Sequence, residues 1–345
     1  MSRCKPSVMT MDTYDRRCAV LRLGLVGAGN FAAKHFAALQ TLPERAEVTL
    51  IARGRVEEPF APAPKVPVVR FEALAADPSI GAIVISSPNY LHRRHAEAAL
   101  DTGKHVFCEK PLALSLDDAD ALMEAARRTG RVLMVGHLTR HMPLYAVAVE
   151  IVQSGRLGDV RALHATRWQT RDKALEWRMR PEQGGGAPFD LLLHDYDLVQ
   201  WLCGAPHGVT AIGQKHALGA YERVTASFAC PNEVLATVDG GFVLPSGASM
   251  TSSLRIVGSE GELYLETPGE EPIRIRMHGG EPETIPIDPE RLGVDGLRTE
   301  FLEFFDTVAG RPWNRLLLED ARNAVAMASA SLQAAQCGRA VTIVE

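Results

Sequence analysis

The sequence predicts an α/β protein: an N-terminal doubly wound parallel sheet, followed by a C-terminal α+β domain with a mostly antiparallel sheet. Three observations predict it. Short apolar runs alternate with helical stretches through about the first 140 residues. Beyond that point strand-like runs succeed one another with turn residues between them. At 345 residues the chain also exceeds one typical domain.

The elements follow in order. Val20 to Val26 is rich in Val and Leu and ends at glycines. Phe31 to Leu42 has helical spacing and stops before Pro43. Val48 to Ala52 and Ile80 to Ser86 are further apolar runs, the second closed by Pro88-Asn89. Leu91 to Thr102 reads as a helix ended by Gly103, then His105 to Cys108 as a strand. Ser115, with Asp118 three residues on, opens a helix that Gly130 ends, and the strand Val132 to Val135 follows. A helix over Leu144 to Gln153 precedes strands at Val160 to Trp168, Val209 to Gln214, Arg223 to Ala229, Val234 to Val243, Ser249 to Val257 and Gly261 to Leu265. One helix near Phe189 to Leu202 interrupts them. Helices over Leu297 to Val308 and Leu318 to Gln336, then a strand from Ala340 to Val344, close the chain.

Composition narrows the function. The chain is 46% hydrophobic and 23% charged, with a formal net charge of -5, so no general basic field attracts nucleic acid. There is no long uncharged apolar run to span a membrane. Met1 to Arg17 lacks the apolar stretch of a secretion signal and reads as a flexible extension. The 6 cysteines are scattered without a Cys-x-x-Cys pair, which suits reduced thiols in the cytosol.

Gly27-Ala28-Gly29-Asn30-Phe31-Ala32 lies between the first strand and the first helix and fits G-x-G-x-x-G/A. A dinucleotide pyrophosphate needs this tight turn, bare backbone and helix N–H groups. At the tip of the second strand, where an acid usually holds the ribose hydroxyls of NAD, the sequence reads Ile51-Ala52-Arg53-Gly54-Arg55, with no acid before Glu57. Two guanidiniums there lean the reading from NAD toward NADP. Cys108-Glu109-Lys110-Pro111 follows another parallel strand, at the edge where such sheets bind ligands. After Gly184-Gly185-Gly186, Asp190 and His194 are four apart, so one helix would place them on one face with Asp197 and Trp201. An oriented acid–base pair and a helix-surface pair both fit that spacing. The stretch lacks H-E-x-x-H, and no metal is expected.

Together these residues resemble the Gfo/Idh/MocA oxidoreductase family (glucose-fructose oxidoreductase, inositol dehydrogenase and their relatives). The likeness is carried by Gly27 to Ala32, Ser87-Pro88-Asn89 with His92, Gly103 to Leu112, Gly158-Asp159-Val160 and Gly184 to Asp197. It implies a Rossmann dinucleotide-binding domain over 20–140, after an extension of residues 1–19. A substrate-binding and oligomerising α+β domain follows over 141–345, its last helix and strand able to pack back on the first. It also implies that Lys110 contacts substrate and cofactor, that His194 is the general acid/base and that Asp190 is its companion carboxylate. Gly27, Gly29, Asn30, Phe31, Arg53, Ser87, Pro88, Asn89, His92, Glu109 and Lys110 would form the cofactor site. The implied activity is hydride transfer between NAD(P) and a sugar, cyclitol or similar polyhydroxylated compound, by a cytoplasmic dimer or tetramer.

Two features depart from the family. Pro59, Pro62, Pro64 and Pro67 argue against a helix after the second strand. Leu192 stands where glycine is common, which would narrow the substrate side or pack the core. Arg140-His141, Trp168, Arg171, Trp177, Arg178 and Arg180 suit contacts to sugars or their acids, and equally suit packing. Two other functions stay open: a glycosidase using bound NAD in a transient oxidation, and a cofactor-sensing regulator without catalysis.

Overall fold

The computed structural model describes residues 20–54, 58–171, 173–268, 273–287, 293, 295–312 and 316–343. The expected N-terminal extension, Arg55, Glu57 and the end of the last expected strand at Val344 lie outside them.

The first half alternates strand and helix: β1 Leu21–Val26, α1 Asn30–Gln40, β2 Ala46–Ala52, β3 Val68–Val69, α2 Phe71–Ala76, β4 Ala82–Ile85, α3 His92–Asp101, β5 His105–Glu109, α4 Leu116–Thr129 and β6 Leu133–Gly136. All pairings are parallel, in the order β3-β2-β1-β4-β5-β6. Helices cover both faces, so a central strand such as β4 is four apolar residues buried throughout. Ser115 caps α4 by accepting from the Asp118 N–H at 3.2 Å, and Gly130 ends it at φ 63°. Strand order reverses between β1 and β4, which opens a crevice beyond their carboxyl ends.

The second half comprises α5 Pro143–Gln153, β7 Val160–Thr170, α6 Ala187–Asp190, α7 Leu193–Cys203, β8 Gly208–Lys215, β9 Tyr221–Ala229, β10 Leu235–Leu244, β11 Thr251–Gly258, β12 Gly261–Thr267, β13 Ile273–Met277, β14 Glu283–Thr284, α8 Gly296–Val308, α9 Leu318–Cys337 and β15 Val341–Thr342. Its strands form one sheet, β14-β13-β12-β11-β7-β10-β9-β8-β15. Every pair is antiparallel except β7 with β10, whose parallel register runs from Ala162 opposite Leu235 to Trp168 opposite Gly241. Along β7, Leu163, Ala165 and Arg167 are buried, while His164 between them is exposed and Thr166 and Trp168 are half-buried. One face therefore packs on helices and the other is open.

The residues between β2 and β3 that the structure describes hold no helix, as their prolines require. Phe60 and Ala63 bury there instead, Phe60 against Phe36 at a ring separation of 6.0 Å. The last helix, α9, packs back on the first domain against α4, where Arg322 meets Asp120 at 2.6 Å, and α8 does so too, inserting Phe301 and Phe304 beside Phe107. The last strand instead pairs with β8 in the second sheet.

The single helix expected near Phe189 to Leu202 is two. α6 stops at Asp190, a turn at Leu191-Leu192 follows, and α7 restarts at Leu193. A continuous helix would need the Asp190 carbonyl to accept from the His194 N–H. That carbonyl accepts from Lys110 Nζ instead. Leu192 is fully buried and fills the space over Gly240, where a Cβ would lie 2.6 Å from its Cδ2. It packs the core.

Candidate active site

The glycine turn is shaped by backbone geometry. Gly27 sits at φ 115°, where an added Cβ would lie 2.6 Å from the Ser86 carbonyl oxygen. Only glycine fits there. Its N–H donates to Ala52 O at 2.9 Å, which holds the turn against the tip of β2. Gly29 is the N-cap of α1 without a side-chain cap, and the first turn of α1 contains no acid. A Cβ on Gly29 would meet nothing within 4 Å. Uncapped N–H groups, open space and no competing carboxylate fit a dinucleotide pyrophosphate. Asn30 and Phe31 open α1 beside this turn.

Across the switch point, Ser87 Oγ lies 3.0 Å from His95 Nδ1, and Pro88 precedes a short 3₁₀ turn. Asn89 donates from Nδ2 to Gly184 O at 3.1 Å, tying this loop to the glycine run of the second half. His92 is buried with its two ring nitrogens 2.7 and 2.8 Å from the carbonyls of Pro111 and Ser87. It braces the loops that carry Ser87 and Lys110.

Glu109 and Lys110 stand where β5 ends. Glu109 Oε1 meets His35 Nε2 at 2.7 Å, and its other oxygen accepts from the Lys110 N–H at 3.2 Å. Burial alone would raise its pKa, but the His35 hydrogen bond and the charges of His35 and Lys110 hold it below the usual carboxylate value. Lys110 is 10% exposed, with Nζ bonded to the Asp190 carbonyl and 4.0 Å from its Oδ1. Burial lowers its pKa, against the opposing pull of Asp190 and Glu109. Arg178 Nε lies 3.3 Å from Asp190 Oδ2. Of the aromatic and arginine side chains read as substrate candidates, Arg178 is the one contacting Asp190, and it lies over Trp177 with 5.7 Å to the ring centre.

The structure thus brings Asp190 to Lys110 and Arg178 rather than giving it a hydrogen bond to His194. His194 is half-buried, and its enclosed Nδ1 has no hydrogen-bond partner. Burial, then the charges of Lys110, Arg167 and His137, push its pKa well below the ordinary imidazole value, with Asp197 opposing. It is therefore uncharged at neutral pH and able to accept a proton. As a base it works above its own pKa and fails as pH falls through it. The acid limb of the oxidation rate is expected below pH 6.5, the ordinary histidine value, as a pH–kcat series measures.

Arg140 and His141 belong to the core. Arg140 grips Asp197 with two bonds of 2.6 and 2.8 Å, meets Asp320 at 2.9 Å and lies over Trp201. His141 lies 3.5 Å from Glu303. His137 was not visible in the motifs. It directly follows β6, whose Gly136 pairs with Glu109, and its Nδ1 lies 3.4 Å from Asp197 Oδ2. Asp197→Asn weakens this buried grip and is expected to cost about 3 kcal/mol of stability, read as a fall in the denaturation midpoint. Trp168 lies under Arg223 on the open sheet face, and Arg171 pairs with Glu222. Among the described residues no group of three or more His, Cys, Asp or Glu is placed to hold a metal ion. No helix there is long and apolar enough to cross a membrane.

A glycine turn opening the first helix of a doubly wound parallel sheet, with a lysine at the end of β5 held by the Asp190 carbonyl, is the arrangement of a dinucleotide-dependent oxidoreductase. Residues 21–137 match the oxidoreductase family with an NAD-binding Rossmann fold, GFO/IDH/MocA, and residues 145–264 match the GFO/IDH/MocA C-terminal domain. The chain belongs to this family. It is 29% identical over 287 residues to the 1,5-anhydro-D-fructose reductase of Ensifer adhaerens, covering 80% of this chain and 84% of that one. It is 30% identical over 198 residues to the 2,7-anhydro-N-acetylneuraminate hydratase of Escherichia coli strain K12, covering 56% of this chain and 53% of that one, about half that relative's length. In fold it resembles levoglucosan dehydrogenase in complex with NADH and L-sorbose, with a TM-score of 0.88, 21% identity and coverage of 95% of this chain and 100% of that one.

Proposed function

We propose that this chain interconverts a secondary hydroxyl and a carbonyl on a sugar, anhydro sugar, cyclitol or similar polyhydroxylated compound. The observation that carries the reading is Lys110, fixed by the broken helix end at Asp190 beside the uncharged His194. When bound, the nicotinamide dinucleotide supplies the hydride chemistry. Gly27, Gly29 and the first turn of α1 would hold its pyrophosphate, with Ser87, Pro88 and Asn89 lining the opposite wall. His194 takes the hydroxyl proton in oxidation and returns it in reduction. The Lys110 ammonium stabilises negative charge on the reacting oxygen in a site that burial keeps poorly solvated. Asp190 holds Lys110 and Arg178 in register, and Arg178 is placed to meet substrate hydroxyls or a carboxylate.

The anhydro sugars in the names of two relatives make such compounds the first to screen. The test is nicotinamide absorbance over a panel of sugars, anhydro sugars and cyclitols with each cofactor. Turnover of at least one compound, lost in the Lys110 variant, supports the reading; no turnover in either direction counts against it. The hydratase relative favours a second reading without net redox change, recognised by substrate conversion while absorbance stays constant.

The lean toward NADP rests on Arg53 and Arg55. Arg55 lies outside the described residues, and the Arg53 guanidinium is engaged by Glu58 at 2.7 Å. A homo-oligomer, dimer or tetramer, goes with the open sheet face. There Arg223 stacks on Trp168 and Arg274 on Tyr264, each at 5.1 Å, and Ile212 and Leu235 are exposed. Cytoplasmic location goes with Cys108, Cys203, Cys230 and Cys337 being free thiols.

A further inference from the structure

Arg53 is the first residue past β2, and the Gly27 bond to Ala52 puts it beside the glycine turn. In a doubly wound sheet this strand tip faces the ribose whose 2′ position bears a hydroxyl in NAD and a phosphate in NADP. Arg53 is already held there. Its Nη2 donates to Glu58 Oε2 at 2.7 Å, and its Nη1 donates to the carbonyls of Glu58 and Pro59 at 3.3 and 3.5 Å. The segment bearing Glu58 is itself anchored: Phe60 and Ala63 are buried just beyond it, and Pro59, Pro62, Pro64 and Pro67 restrict its backbone. Both side chains remain within reach of a ligand, Arg53 being 22% and Glu58 51% exposed.

We propose that Glu58 is the cofactor selector of this chain: by holding the Arg53 guanidinium it favours a 2′-hydroxyl and disfavours a 2′-phosphate. This rests on the dinucleotide reading of the glycine turn and adds a residue from a segment outside the motif. A 2′-phosphate carries roughly two negative charges. It must either displace Glu58 from Arg53 or sit beside an already neutralised pair, and in both cases a like-charged carboxylate stays close. A 2′-hydroxyl brings no charge and leaves the pair intact. For a unit charge about 5 Å from such a phosphate, Coulomb repulsion in water corresponds to roughly tenfold in affinity, less at high salt. An exposed ion pair contributes little to folding, so Glu58→Gln removes the charge without endangering the fold.

The experiment is titration of NADH and NADPH into the full chain, followed by nicotinamide fluorescence, for the wild type, Glu58→Gln, and Glu58→Gln with Arg53→Ala. The wild type is expected to bind NADH more tightly than NADPH. Glu58→Gln should raise NADPH affinity about tenfold and leave NADH within about twofold, and adding Arg53→Ala should remove the gain. Unchanged NADPH affinity in Glu58→Gln, or a wild type that prefers NADPH, overturns the selector role while leaving the dinucleotide site standing. A wild type that binds neither overturns both.

Discussion

Lys110→Met is expected to reduce kcat by about three orders of magnitude while dinucleotide affinity stays within a few-fold. Methionine keeps the length and apolar stem of lysine and removes the ammonium. That ammonium is the cation the structure holds at the end of β5 by the Asp190 carbonyl and carboxylate. Burial makes its charge costly, and Asp190 and Glu109 offset this. A charge retained at such a cost is most effective against an oxygen that becomes negative during the reaction. A loss confined to KM would mean that Lys110 only binds substrate. Steady-state kinetics with a cofactor titration separates the two.

His194→Ala is expected to lower kcat by about two to four orders of magnitude and to abolish the acid limb of the pH profile. The imidazole is half-buried, uncharged at neutral pH and near Lys110, Arg167 and His137, with Asp197 one turn further along α7. Proton removal from a bound hydroxyl then falls to water in the variant. The decisive reading is the pair of effects: a rate loss with the limb still present would assign that limb to another group.

Much of the fold was legible because its signals are local. The glycine turn, the Ser115 cap and Gly130 stop of α4, and the alternation of β7 all lie within a few residues of what they determine. The strands β3 and β14 and the helix α2 are short and carry weak periodicity, so they went unread; β13 alternates Ile and Arg with a buried and an exposed face, a signal that was there and was missed. The parallel pairing of β7 with β10 was hidden because alternation gives the faces of a strand and not its direction. The site was legible in its residues and less so in its geometry. Spacing put Asp190 and His194 on one helix, but the helix breaks where Lys110, 80 positions earlier, takes the Asp190 carbonyl. Arg140 and His141 had the composition of a sugar site and proved to be core, because Asp197 and Glu303 arrive there from distant helices. His137 and Glu58 lie outside every motif, and only the folded chain shows their partners.

The central claim is that Lys110 and His194 act together on one reacting oxygen. Its most direct test is a double-mutant cycle on kcat, with any substrate the panel yields, for Lys110→Met, His194→Ala and the pair combined. Groups acting on one oxygen as a unit predict a double variant little worse than either single one. Losses that multiply, with the double variant falling by the product of the two, would show the residues acting independently and contradict the account.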